Sequence, residues 1–348
     1  MSPTRGFHMP AEWTAHRRTW MAWPDAEYVL DGTDGAEGAY KAWAGVANAI
    51  AAFEPVLMVV PCGSKAQALS YLAPGVEVVE HEIADSWMRD FGPTFLLGPD
   101  GKLGAVDWTF NGWGGRWHPT NPADALIGRF VTEKAGAERF ASKLVNEGGA
   151  IHVDGEGTVM LTESVQLNPN RNPNWTKSEV EAEIHTMLGT KKAIWLKQGL
   201  ESDRDDEETG TDGHVDTLAC FLKPGLVLAH RQPDPAHPDY DTSRENIATL
   251  KASKDAAGRM LEVIEVDAPA QQFHRDGNPL SLSYVNFSFV NGGVVLCGFD
   301  DPRDEEVLEL FRRLFNNRRV VQVPATRIFE GGGGIHCITQ QEPLAQSA

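Results

Sequence analysis

The chain has 348 residues, 41% hydrophobic and 23% charged, which is ample material for a folded core, and its length alone would suit two domains. A formal charge of -18 argues against nucleic acid or an anionic membrane surface as a partner and would draw cations over long range. Cys62, Cys220, Cys297 and Cys337 lie far apart with no Cys-x-x-Cys, so neither a disulfide framework nor a zinc knuckle is indicated, and a reducing compartment is the simplest reading.

From the N-terminus, His8, Glu12, His16, Arg17 and Arg18 interrupt any apolar core that a signal peptide would need. The apolar stretch near Ala44 is broken at Glu54-Pro55, so no membrane span is expected and the protein reads as cytoplasmic. Arg18 to Trp23 reads as a strand stopped by Pro24. Tyr40, Trp43, Val46, Ile50 and Phe53, at steps of three or four, predict a helix over Gly38 to Phe53. A strand Val56 to Val60, a helix Ser64 to Ala73 capped by Ser64 and a strand Val76 to Val79 lead to Asp85-Ser86-Trp87-Met88-Arg89-Asp90. A hairpin follows, Phe95 to Leu97 and Leu103 to Trp108, turning at Gly98-Pro99-Asp100-Gly101.

The order then repeats. A helix over Pro122 to Ala135 and a strand Lys143 to Asn146 precede Glu147-Gly148-Gly149, and a second hairpin turns at Asp154-Gly155-Glu156-Gly157. Thr176 with Glu179 is a capping box opening a helix that ends at Gly189. A strand Ala193 to Leu196 and an acidic segment, Glu201 to Glu208, read as a solvated loop, precede Thr211-Asp212-Gly213-His214-Val215-Asp216 and a hairpin turning at Lys223-Pro224-Gly225. A helix Thr242 to Ala257, a strand Leu261 to Val266, a hairpin of Tyr284 to Val290 with Val294 to Cys297, a helix Asp304 to Phe315 and a strand Val320 to Val323 lead to Gly331-Gly332-Gly333-Gly334-Ile335-His336-Cys337.

Asp90, Glu147, His214, Asn286 and Cys337 thus stand at the heads of comparable strands, about 50 to 70 residues apart. Such units stack only by burying apolar faces on one another, and closing a ring removes the unprotected ends. The pattern predicts one cyclic domain over residues 1–348 rather than two in line. The last unit is short of a strand, and Arg18 to Trp23 are expected to pair with it and close the ring.

Strand heads that converge would gather a thiol, a histidine and several carboxylates. Glycines before Cys337 let a substrate approach the main chain, and a thiol attacks as thiolate, with His214 able to carry protons. Carboxylates oppose a thiolate unless a cationic substrate compensates them, and a forked guanidinium is the cation that two carboxylates grip best. The converging segments offer the acids Asp85, Asp90, Glu147, Asp212 and Asp216 and one evident cation, Arg89, expected to point away and pair structurally. Asn286 is expected to bond neighbouring backbone, Cys62, Cys220 and Cys297 to be core residues, and His152-Val153-Asp154 to lie at a turn without a role.

The segments Met9-Pro10-Ala11-Glu12-Trp13, Trp20-Met21-Ala22-Trp23-Pro24, Asp85 to Pro93, Phe110-Asn111-Gly112-Trp113-Gly114-Gly115, Glu147-Gly148-Gly149, Leu167-Asn168-Pro169-Asn170-Arg171-Asn172-Pro173, Asp212 to Asp216 and Gly331 to Gln341 closely resemble, in order and over nearly the whole chain, the agmatine deiminases. These belong to the peptidylarginine deiminase-like branch of the pentein superfamily. The resemblance implies an α/β fold of five units, the pentein propeller with pseudo-five-fold symmetry, and conversion of agmatine and water to N-carbamoylputrescine and ammonia in polyamine metabolism, with no metal or organic cofactor. It makes Cys337 the nucleophile that carries an amidino intermediate, His214 the acid and base, and Glu147 its partner. Asp90 and Asp216 become the guanidinium clamp, with Trp87 walling the channel. Relatives place an acid four residues before the histidine, where this chain has Gly210, so Asp212, Glu207 and Glu208 become the candidates for the amine tail of the substrate. A homodimer is compatible with the resemblance. The rival readings are another guanidino-compound deiminase on the same fold, a metal-dependent hydrolase with His214, Asp216, Glu147 and Cys337 as ligands, and a ligand-binding propeller without catalysis.

Overall fold

The computed structural model describes residues 4–32, 34–115, 122–205, 210–270 and 280–345. The chain divides into two compact units, one of Met1–Thr14, Asp90–Ala268 and Ala345–Ala348, the other of Ala15–Arg89 and Pro269–Leu344. The fold is mixed α/β. Among the described residues, sixteen strands run in chain order as β1 (His16–Ala22), β2 (Val56–Val60), β3 (Glu77–Glu80), β4 (Thr94–Leu97), β5 (Leu103–Thr109), β6 (Glu138–Val145), β7 (Ile151–Val153), β8 (Thr158–Thr162), β9 (Lys192–Leu196), β10 (Ala219–Lys223), β11 (Leu226–Arg231), β12 (Glu262–Asp267), β13 (Ser288–Val290), β14 (Gly293–Gly298), β15 (Arg319–Pro324) and β16 (Thr339–Pro343).

The first unit holds three sheets, β4-β5-β6, β7-β8-β9 and β10-β11-β12. In each, the first two strands form an antiparallel hairpin and a helix returns the chain so that the third lies parallel to the second. Those helices are Ile127–Ala135, Lys177–Leu188 and Asp239–Ala252. The capping box at Thr176 is formed, with Thr176 Oγ1 accepting from the Glu179 amide and Glu179 bonded back to the Thr176 amide. Leu96, Val106, Leu144, Ile151, Val159 and Ile184 belong to one apolar cluster, and Met160, Ile194, Phe221, Val227 and Leu250 to a second.

The second unit holds β13-β14-β15 and the four-stranded β16-β1-β2-β3. The same order recurs: β13 is antiparallel to β14 and β14 parallel to β15, while β16 is antiparallel to β1 and β1 parallel to β2. β1 pairs Met21 with Thr339 and Trp20 with Gln340, so residues near the two ends of the chain share a ladder. The helix Gly35–Ala51 buries Ala39, Trp43, Val46, Ala47 and Ile50 on one stripe, as its period requires. β2 is Val-Leu-Met-Val-Val, buried throughout because it is the inner strand of parallel pairs on both sides.

Some expectations are corrected. The five landmarks stand ahead of the strands rather than on them: Asp90, in the short helix Met88–Phe91, and Glu147, His214, Asn286 and Cys337, in connecting segments, lie two to five residues before β4, β7, β10, β13 and β16. The helix expected from Ser64 to Ala73 covers only Lys65–Leu69, without a side-chain cap from Ser64. Cys62 is exposed, because Pro61 ends β2 one residue earlier, whereas Cys220 and Cys297 are buried. His152 is in β7 and buried, 3.6 Å from Glu12, rather than at a turn. The hairpin strand expected from Tyr284 starts only at Ser288.

Candidate active site

In the first unit, the turns before β4, β7 and β10 bring Asp90, Glu147, His214 and Asp216 together, all buried. A Cβ placed on Gly149 would lie 2.6 Å from His214 Nδ1, 2.9 Å from Asp90 Oδ1 and 3.0 Å from Asp216 Oδ2. Three polar atoms from two turns therefore converge on one point, which a glycine of the third turn leaves open. His214 Nδ1 is buried with no hydrogen-bond partner among the described residues and stands 3.8 Å from Asp90 Oδ1.

Asp90 is held from two sides: Oδ2 accepts from Trp113 Nε1 at 2.9 Å and Oδ1 from the Gly149 amide at 3.0 Å. Trp113 reaches it from a left-handed backbone, φ 51, a conformation that costs energy for a residue with a Cβ and is maintained here by the surrounding loop. Burial, with repulsion from Asp216 and Glu147, pushes the Asp90 carboxyl up to about 6, against the attraction of His214. For His214, burial works against the charged imidazole, yet Asp90, Glu147 and Asp216 push it up to about 9. Its Nε2 lies 3.4 Å from Glu147 Oε2.

Glu147 is gripped by a residue absent from the sequence reading of the charges. Arg171 Nε donates to both Glu147 oxygens, at 2.9 and 3.0 Å, and both side chains are wholly buried. Burial opposes ionisation of Glu147, but the Arg171 guanidinium and then His214 hold it below the usual carboxylate range. Asp212, left-handed at φ 67, accepts at Oδ2 from Arg171 Nη1 and from Asn170 Nδ2 at 2.9 Å. The acidic segment is also more than a solvated loop: Asp203 is buried and accepts from the Thr211 amide and hydroxyl, at 2.7 and 2.9 Å, and from the His214 amide at 3.2 Å. Glu207 and Glu208 lie outside the described residues.

In the second unit, Cys337 is buried in the turn before β16. Asn286 Nδ2 donates to its Sγ at 3.3 Å, while Asn286 Oδ1 accepts from the His336 amide at 3.0 Å. Asn286 thus bonds neighbouring backbone as expected, and it also contacts the thiol. Gly333 passes close to the same sulfur: a Cβ there would lie 2.7 Å from the Trp87 ring and 3.0 Å from Cys337 Sγ. Trp87 Nε1 donates to Tyr28 Oη at 2.6 Å, and Tyr28 to Asp85 at 2.7 Å. Arg89 is buried and structural, its amide donating to Cys337 O at 3.0 Å and Nη2 to Gln341 at 2.8 Å. Burial pushes the Cys297 thiol up to about 12 and the Cys220 thiol well above its ordinary value, so neither is disposed to be a thiolate.

Chemically, the first unit provides a buried acid–base imidazole among carboxylates suited to a planar cation, and the second provides a thiol with an amide donor. Among the described residues, no three His, Cys, Asp or Glu side chains are grouped as a metal ion would need.

Comparison with known proteins follows the same line. The family model of the Porphyromonas-type peptidyl-arginine deiminases matches residues 8–343. A Streptomyces avermitilis protein is 57% identical over 97% of each chain. The agmatine deiminase of Ectopseudomonas mendocina is 40% identical, covering 99% of this chain and 97% of its own. In structure, the agmatine deiminase of Enterococcus faecalis superposes with a TM-score of 0.91 at 33% identity, over 97% of this chain and 96% of that one. The chain belongs to the Porphyromonas-type peptidyl-arginine deiminase family.

Proposed function

We propose that this chain is an agmatine deiminase, releasing ammonia from agmatine and leaving N-carbamoylputrescine, a step in polyamine metabolism. The observation that carries the reading is the convergence of His214 Nδ1, Asp90 Oδ1 and Asp216 Oδ2 over Gly149, two acceptors and an acid of the kind a guanidinium requires. The names of close relatives support the substrate.

In this reaction Asp90 and Asp216 hold the guanidinium by charge-assisted hydrogen bonds, and Trp87 walls its approach. Cys337 attacks the guanidinium carbon as thiolate, forming a C–S bond and a neutral tetrahedral adduct. His214, protonated at neutral pH by its carboxylate neighbours, gives a proton to one nitrogen, which leaves as ammonia. An amidino group remains on sulfur, cationic and stabilised by the clamp. Neutral His214, oriented by Glu147, then takes a proton from water. The hydroxide adds to the carbon, the C–S bond breaks, the thiolate returns and the released urea gives up its extra proton to ammonia. Asn286 donates to the sulfur and steadies its charge. Asp212 adds negative charge through a carboxylate shared with Arg171 and Asn170. No cofactor enters this scheme.

The recurring pattern of an antiparallel pair and a parallel third strand supports a single catalytic domain, a five-bladed pentein propeller with β1 closing the ring. No described helix is long and apolar enough to cross a membrane. The scattered cysteines favour a cytoplasmic setting, and sedimentation would test for the homodimer.

The test is ammonia release from a panel of guanidino compounds. Agmatine should be the best substrate, and Cys337→Ser should lose activity by several orders of magnitude. Silence on every guanidino compound, or full activity in Cys337→Ser, would overturn the assignment.

A further inference from the structure

We propose that Arg171 is the positioning residue of the acid–base pair: its buried fork fixes Glu147 beside His214 and ties down the loop that delivers His214. The inference deepens the deiminase reading and rests on it for its kinetic arm.

Arg171 donates at every nitrogen. Nε serves both oxygens of Glu147, Nη1 serves Asn170 Oδ1 at 3.0 Å and Asp212 Oδ2, and Nη2 serves the Thr211 carbonyl at 2.8 Å. Two of those partners lie two and three residues before His214, and a third is the carboxylate facing its Nε2. The network also extends to the remaining turn. Asn170 O accepts from Asn111 Nδ2 at 2.9 Å, and Asn111 Oδ1 accepts from the Gly114 amide at 2.8 Å, next to Trp113, the donor to Asp90. One short segment therefore braces the loops behind Asp90, Glu147 and His214.

A guanidinium that merely neutralised two carboxylates would have no need to hold a main-chain carbonyl of the histidine's loop. Lysine would supply the same charge, but a point-like ammonium cannot reproduce a planar fork that meets Glu147, Asp212 and Thr211 at once. Charge alone and geometry therefore make different forecasts for Arg171→Lys.

Two measurements separate them. The first needs no substrate: NMR titration of His214 in protein labelled at histidine. The charged groups facing His214 are Asp90, Glu147, Asp203 and Asp216, of which Glu147 alone is held by Arg171. In Arg171→Lys, Glu147 should turn from the imidazole, and the His214 midpoint should fall by about one pH unit. An unchanged midpoint would overturn the proposal. The second is kinetic: Arg171→Lys should lower kcat for agmatine by about 100-fold with KM nearly unchanged, since the clamp carboxylates remain. Recovery of wild-type kcat in Arg171→Lys would reduce Arg171 to a counter-charge and sink the idea. Should Arg171→Lys fold poorly, Asn170→Ala leaves the guanidinium in place and should show the same fall in kcat on a smaller scale, and wild-type kcat there would count against the bracing role. If the wild type proves inactive on agmatine, the titration still decides.

Discussion

Gly149 has room for a hydrogen and nothing larger, because the space a methyl would fill is bounded by His214, Asp90 and Asp216. Gly149→Ala should therefore displace at least one of them, cost about 1–3 kcal/mol as an overpacked site and remove most activity, which thermal melts and ammonia release would show. The two shifted groups also set a pH window. In the proposed reaction Asp90 holds the guanidinium as a carboxylate, so kcat/KM should fall as pH drops through about 6, and His214 releases ammonia as an imidazolium, so activity should fall as pH rises through about 9. Asp90→Asn should lose the acid limb along with most of kcat/KM; an acid limb unmoved in that variant would assign it elsewhere. The His214 shift enters stability with a definite sign. Its folded pKa lies above the unfolded one, so its contribution is complete below about 6.5 and disappears as pH rises through about 9. At this scale the landmark residues were legible because aspartate, glutamate, histidine and cysteine carry chemistry wherever they stand. Arg171 was not, because its partners Glu147, Thr211 and Asp212 come from two turns distant in sequence that only the fold brings to it. Asn286 looked structural for a similar reason, since its thiol contact depends on how two segments 51 residues apart meet.

Among the elements, local signals were read best where one short segment decides the outcome. The Thr176–Glu179 box lies wholly within four residues, and it formed as the sequence indicated. Thr176→Ala should cost about 1 kcal/mol of stability with activity intact, readable as a shift in urea midpoint. Ser64 looked like a comparable cap, but its helix runs only five residues and draws nothing from the side chain. β1 is decided by partners distant in sequence. Trp20 is fully buried there and donates to Glu342 Oε2 at 2.8 Å, and Thr19 donates to Glu54 Oε1 at 2.6 Å. Glu54 in turn accepts from the Asn291 amide at 2.7 Å. A strand with a loop-sized liability at the N-terminus is thus anchored by two buried carboxylates. Trp20→Ala should cost about 3–5 kcal/mol and leave Glu342 short of a donor, whereas a melt unchanged from wild type would mean that β1 contributes little to the fold.

For the molecule as a whole, charge is expected to set which guanidino compound the proposed deiminase prefers. Agmatine and arginine share the reacting group and differ at the far end, where arginine adds a carboxylate beside the amine. A buried carboxylate needs a cation, and leaving one unpaired is costly. Among the described residues two arginines are buried and both are engaged: Arg89 with backbone and Gln341, and Arg171 with Glu147 and Asp212. Against them stand Asp90, Glu147, Asp203, Asp212 and Asp216, and a whole-chain charge of -18. The field therefore favours a substrate with two positive ends and opposes one that brings a negative charge. Agmatine should be preferred over arginine in kcat/KM by about 1000-fold if several kcal/mol of unpaired charge is at stake. Because part of that preference is long-range attraction, kcat/KM for agmatine should fall as salt rises from low to physiological ionic strength, while a neutral-tailed guanidine should change less. Equal kcat/KM values for the two compounds would contradict the charge argument and mark the chain as an arginine-type deiminase on the same fold.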